Sequence, residues 1–193
     1  MRRGWTGLSV CIEGCSMDVQ SENLVSRLCG LRLPSILLDD TDGHKIDLSA
    51  LAGLGVIYIY PRTSPADGTA LPGWDVIPGA RGCTPQSCAF RDHFAELRAL
   101  GVRYLYGLST QETAYQREAA ARLHLPFALL SDAQLELASR LDLPSFVAGG
   151  EALLRRMTLI IQDGCIRHVF YPIPSPERNA EQVMDWLNGS RPR

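Results

Sequence analysis

The run "GVIYIY" at residues 55–60 constrains the fold more than any other stretch of the chain. It is continuous, apolar, rich in β-branched and aromatic residues, and too short for a stable helix. Side chains alternate across a strand, so both faces of this one must be buried. A strand of that kind belongs inside a sheet with helices packed on both sides. Other segments supply the neighbours. "RYLYGLS" (103–109) and "FALLSD" (127–132) are strand-like, with a helical stretch over 111–123 between them and a short helix in "LELASRLDL" (135–143) after them. Asp163-Gly164 joins two β-rich runs, 156–161 and 166–170, which is a strong hairpin signal. A second turn signal, Asp42-Gly43, sits inside "LPSILLDDTDGHKIDLSAL" (33–51), where Ser49 is a candidate helix cap. Residues 180–187 read as an amphipathic helix. The expectation is an α/β domain with a thioredoxin-like fold: a central mixed sheet flanked by helices, opened by an N-terminal β-hairpin.

Composition narrows the function. With 193 residues the chain suits one domain, read here as 31–188, preceded by an extension over 1–30 that lacks clear periodicity and followed by a tail over 189–193. The net charge of −2 argues against a nucleic-acid or membrane-surface role, which needs a basic surplus. No apolar run approaches a membrane span of about 20 residues. The opening "MRRGWTGLSVCIEGCSM" places two arginines before an apolar stretch, but Gly7 and Ser9 interrupt it and no small-residue cleavage site follows. A reducing, cytoplasmic setting is therefore expected. There, six cysteines point to thiol chemistry or metal binding rather than to a disulfide framework.

The chemistry concentrates in "PGARGCTPQSCAFRDHF" (78–94). A Pro- and Gly-rich loop over 61–82 ends at Cys83, and a helix follows from Thr84 with Phe90, Phe94, Leu97 and Leu100 on one face. Unpaired N–H groups and the dipole at a helix start favour the thiolate of a cysteine placed there. Arg81, Arg91 and Arg156 are candidates to reinforce it, unranked by sequence. Cys88 lies five residues on. Ideal helix geometry separates those Cα atoms by about 8.6 Å, beyond the roughly 7 Å that a disulfide tolerates. The pair bridges only if the first turn unwinds, which couples oxidation to conformation. The spacing excludes a CxxC oxidoreductase motif. Cys83, Cys88 and His93 are evenly spaced, but structural zinc wants closer pairs and four ligands, so no metal is assigned. Cys11, Cys15, Cys29 and Cys165 read as inert thiols, and His44, His124 and His168 as surface or packing residues.

"GCTPQSCAFRDHF" resembles the Gly-Cys-Thr-x-x-x-Cys-x-x-Arg-Asp segment of the peroxiredoxin family, in particular the peroxiredoxin Q (bacterioferritin-comigratory) type. "IYIYPR", "YGLST", "LPFALLSD" and "RRMTLIIQDGCIRHVF" match in order, over roughly residues 31–188. The resemblance implies a thiol peroxidase that needs no cofactor. Its substrates would be hydrogen peroxide and organic hydroperoxides, and thioredoxin or glutaredoxin its reductant. It also implies a monomer or weak dimer, with Cys83 as peroxidatic cysteine, Cys88 as intramolecular resolving cysteine and Arg156 as the arginine against the thiolate. Strand alternation favours Arg156 over Arg155, because Met157, Leu159 and Ile161 then point away from it. The chain departs from the family's Pro-x-x-x-Thr/Ser-x-x-Cys loop: Ala80 and Val76 stand at the hydroxyl and proline positions, after an insertion. Pro61 is the candidate shield of the thiolate, and Thr63, Ser64 or Thr84 the candidate hydroxyl. Trp74 either lines the entrance or anchors the loop. The rival readings are a peroxide sensor on the same scaffold and a general thiol–disulfide oxidoreductase.

Overall fold

The computed structural model describes residues 19–189. Nine strands and six helices follow in chain order: α1 (Val19–Leu28), β1 (Leu37–Asp40), β2 (Lys45–Asp47), β3 (Leu54–Ile59), α2 (Cys83–Asp92), α3 (Phe94–Ala99), β4 (Val102–Ser109), α4 (Thr113–Arg122), β5 (Leu129–Ser131), α5 (Glu136–Leu141), β6 (Ser145–Ala148), β7 (Glu151–Leu154), β8 (Met157–Gln162), β9 (Cys165–Phe170) and α6 (Asn179–Gly189). Seven strands form one mixed sheet in the order β2-β1-β5-β4-β3-β8-β9, while β6 and β7 pair only with each other. The run read first is β3, paired parallel to β4 and antiparallel to β8.

Alternation along β3 divides the interior in two. Ile57 and Ile59 join Leu108, Leu130, Met157 and Leu159 on the face covered by α1 and α5. Val56, Tyr58 and Tyr60 join Phe90, Leu97, Ile160 and Val183 on the face covered by α2, α3 and α6. The thioredoxin-like three-layer arrangement is the result, with β1 and β2 as its N-terminal hairpin. Gly107 on β4 is required by this packing, since a Cβ there would lie 2.6 Å from the Tyr58 ring. The Tyr58 ring instead stacks on Phe90, centroids 4.6 Å apart, and its hydroxyl donates to Ser87 Oγ at 3.1 Å. These two contacts fix α2 over the end of the central strand.

Several local expectations are corrected. The extension read without periodicity contains a helix, Val19–Leu28, with Leu24 and Leu28 buried under the sheet. The readings on residues 1–18 lie outside the described residues. Ser49 is no cap; it sits inside a 3-10 turn, Leu48–Ala50, that Asp47 caps by accepting from Ser49 N. The helix after the loop is two helices, broken at His93, although Phe90, Phe94 and Leu97 still face one core. The loop over 61–82 holds a 3-10 turn, Trp74–Val76, and a small core of its own. Trp74 packs there with Ala80, Leu153 and Ala148, against Phe146 of the β6–β7 hairpin. Trp74 is thus an anchor of the loop.

Candidate active site

Cys83 is the first residue of α2, and Gly82 before it takes the left-handed conformation (φ 100°) that lets the loop turn sharply into the helix. A Cβ on Gly82 would also meet Pro176 Cγ at 2.7 Å. The thiol is 3% exposed. Two N–H donors converge on its sulfur: Arg156 Nη2 at 3.2 Å and the backbone N of Arg62 at 3.5 Å. The thiol lies 3.5 Å from Ala80 O, as its own donor contact. Donors aimed at sulfur stabilise a thiolate, and they remain in place to stabilise an oxygen bonded to it.

Arg156 stands between β7 and β8 and is 4% exposed. Its Nη2 donates to Arg81 O at 2.9 Å and to Gly79 O and Ala80 O at 3.3 Å, and its Nη1 donates to Gln86 Oε1. The other two arginines are engaged elsewhere. Arg81 pairs with Asp75, and Arg91, beside Cys88, pairs with Asp92 and donates to Leu123 O. Arg155, the neighbour of Arg156, lies over the Phe146 ring at 5.5 Å. Alternation along β8 holds as read, with Met157, Leu159 and Ile161 in the far core.

A pocket of about 380 Å³ opens over Cys83, lined by Arg62, Ser64, Trp74, Arg81 and Thr84 among others. Trp74 therefore borders the entrance as well as anchoring the loop. Thr63 is placed differently from Ser64 and Thr84. It is buried, its hydroxyl donating to Gln111 Oε1 at 3.1 Å and its carbonyl accepting from Tyr115. Pro61 is buried where β3 leads into Arg62. Ala80 is fully buried. Arg62 is itself clamped: its Nη1 reaches both carboxylate oxygens of Glu151 at 2.7 Å, and its guanidinium lies over Tyr115. Burial pushes the Tyr58 and Tyr60 hydroxyls well above the ordinary phenol range, so both stay neutral beside the sulfur.

Cys88 is half-buried on the same unbroken helix, and both cysteines are free thiols. His93 Nδ1 pairs with Glu96 instead of turning to the cysteines. Among the described residues, the side chains whose ligand atoms converge as a metal site would are Asp40, Asp42 and His44 in the β1–β2 turn. Arg62, Gln86 and Glu151 were not singled out in the sequence. Only Arg62 carries a local signal, standing directly after the Tyr-Pro that closes the central strand.

The family model described as Redoxin matches residues 29–184. Among curated relatives, a chloroplastic peroxiredoxin Q of Suaeda salsa is 30% identical over 156 residues, 80% of this chain and 64% of its own length. One from Arabidopsis thaliana is 27% identical over 163 residues, 83% of this chain and 67% of its own. The chain thus spans a little under two thirds of the length of the first such relatives. Among solved structures, Peroxidoxin BcpB from Mycobacterium tuberculosis superposes with TM-score 0.67 at 24% identity, covering 85% of this chain and 98% of that one. Peroxiredoxin Q from Xanthomonas campestris gives 0.66 at 19%, covering 83% and 96%. These two likenesses speak for the fold.

Proposed function

The chain belongs to the redoxin family, and from that premise we propose that it is a thiol peroxidase of the peroxiredoxin Q kind, acting on hydrogen peroxide and organic hydroperoxides. The observation that carries the proposal is the buried Cys83 sulfur facing an open pocket, with Arg156 Nη2 and the Arg62 N–H aimed at it. The Cys83 thiolate attacks the terminal oxygen of the peroxide. An S–O bond forms, the O–O bond breaks, and the leaving oxygen takes a proton to depart as water or an alcohol. Arg156 and the helix start offset the charge developing on the leaving oxygen. The first turn of α2 then opens, and the Cys88 thiol condenses with the sulfenic acid, releasing water and forming the disulfide. An external dithiol, thioredoxin or glutaredoxin, returns both cysteines to thiols by exchange and is itself oxidised. The compartment we propose is cytoplasmic; among the described residues no helix is long and apolar enough to cross a membrane.

One equivalent of peroxide, followed by mass mapping of the wild type and of Cys88→Ser, tests this. A Cys83–Cys88 bridge in the first and a sulfenic acid on Cys83 in the second are expected. A Cys83 that stays a thiol while another cysteine reacts would sink the proposal. One observation favours a peroxide sensor as the second reading: a fully buried alanine, Ala80, stands three residues before Cys83. Continuous consumption of reductant under excess peroxide separates the two, because a sensor is oxidised once per molecule.

A further inference from the structure

We infer that Asn179, the first residue of α6, is a positioning residue for the chemistry at Cys83, acting through Gln86 and Arg156; the inference rests on the roles proposed above for Cys83 and Arg156. Thr158, Asn179 and Gln86 are fully buried. They come from β8, α6 and α2, and a single line of hydrogen bonds runs through them to the sulfur. Thr158 Oγ1 donates to Asn179 Oδ1 at 2.7 Å, and Gln86 Nε2 donates to the same oxygen at 3.0 Å. Gln86 Oε1 accepts from Arg156 Nη1, and the other terminal nitrogen of that guanidinium lies 3.2 Å from Cys83 Sγ.

The arginine end dictates the direction of every bond. A guanidinium has donors and no acceptor, so Gln86 must turn its oxygen towards it. The Gln86 amide NH2 then faces α6, where Asn179 must present Oδ1, leaving the Thr158 hydroxyl to donate. Turning either amide over sets two like groups against each other in a fully buried site, where an unmade bond is costly. Asn179 therefore locks Gln86 in the orientation that the guanidinium requires, and Gln86 holds the guanidinium against the sulfur. Asn179 Nδ2 meanwhile faces Gln182 Oε1 at 3.4 Å, which is consistent with this orientation. The same bond reaches the resolving step. Gln86 lies between the two cysteines, in the turn that must open before they join, so its tie to α6 also keeps that turn closed.

The test follows the first turnover with hydrogen peroxide by rapid mixing and the appearance of disulfide by quenched alkylation, with thermal melts as a check on folding. Asn179→Leu is expected to slow peroxide reduction about tenfold while hastening the step from sulfenic acid to disulfide. Asn179→Asp, which accepts both bonds, is expected to recover most of that loss. The double variant Gln86→Glu/Asn179→Asp opposes two acceptors. It should be as slow as Asn179→Leu at about pH 8 and recover relative to wild type below about pH 6, where a proton shared by the carboxyls replaces the lost N–H. Arg156→Met is the control. If it is slow while Asn179→Leu stays within about twofold of wild type, the positioning role is overturned and the peroxidase reading stands. If both keep the wild-type rate, the role of Arg156 falls as well; if the wild type leaves Cys83 unoxidised by peroxide, the peroxidase reading itself falls. A folded Asn179→Asp no better than Asn179→Leu also overturns the inference. Should Asn179→Leu fail to fold, the contrast between the single Asp variant and the double one decides it.

Discussion

Closing a Cys83–Cys88 disulfide should make this protein less stable, against the usual effect of a cross-link. The gain is small because the ring is short: in the chain-entropy account, a loop of about six residues restrains the unfolded chain by about 2 kcal/mol. The loss is larger. Both cysteines sit in one unbroken helix, and bridging them requires its first turn to open. Opening breaks the Gln86 N–Gly82 O bond and pulls the Gln86 side chain from Asn179 and Arg156. Each of the three buried partners left unpaired costs about 2 kcal/mol, for a total of about 6 kcal/mol. The net is a loss of about 4 kcal/mol, which for a chain of this length lowers Tm by about 8–16 °C. The assay is a melt of reduced and peroxide-oxidised wild type in the absence of reductant, with Cys88→Ser oxidised in parallel. An oxidised protein that carries the mapped bridge yet melts at or above the reduced form would refute the reasoning, since the bridge would then have formed without opening the turn.

Three other perturbations test separate parts of the site and fold. Arg156→Met removes the side-chain donor to the sulfur and should lower the second-order rate with peroxide about 10²- to 10³-fold, read by stopped flow. Glu151→Ala frees Arg62, whose backbone N–H faces the sulfur; the rate should fall a few-fold while stability changes by less than about 1 kcal/mol, because the pair is partly solvated. His168 is stacked on Trp186 at 4.8 Å and edge-on to Phe170, and burial holds its pKa below the ordinary value. The folded imidazole thus binds protons less readily than the unfolded one. Its stabilising contribution is whole above about pH 6.5 and is lost as pH falls towards the lower folded value. Denaturant titrations of the wild type and His168→Phe should therefore diverge between about pH 7 and pH 5, with the wild type losing more.

What was legible in the sequence follows from what sequence patterns record. Burial on both faces leaves a continuous apolar run, so β3 and its neighbours could be read within a residue or two. A helix lying on the sheet edge leaves a thinner trace. Within α1 only Leu24 and Leu28 are buried apolar residues, and the rest is polar enough to hide the period. The break at His93 is invisible for the opposite reason: Phe90, Phe94 and Leu97 keep helical spacing across it, because both short helices face one core. The β6–β7 hairpin did carry a signal, Gly149-Gly150 between two short runs, each glycine taking positive φ. It escaped because its strands are four residues each and half exposed.

The site divides along the same line. Cys83 stands at a helix start, a local property, whereas Arg156 is one of three unranked arginines until the family resemblance points to it and the strand period prefers it to Arg155. Arg62, Gln86 and Asn179 act only through placement, and the Arg156–Cys83, Gln86–Asn179 and Arg156–Gln86 contacts span 73, 93 and 70 residues. The missing loop hydroxyl shows how placement changes a sequence argument. Ala80 at the hydroxyl position takes away a functional group, yet the segment it belongs to has another task. The carbonyls of Gly79, Ala80 and Arg81 all accept from Arg156 Nη2. The insertion, anchored by Trp74, thereby holds the guanidinium against the sulfur from one side while Gln86 holds it from the other. Polarising a peroxide needs fixed donors near the sulfur, and an arginine gripped on both sides provides them without a hydroxyl at position 80.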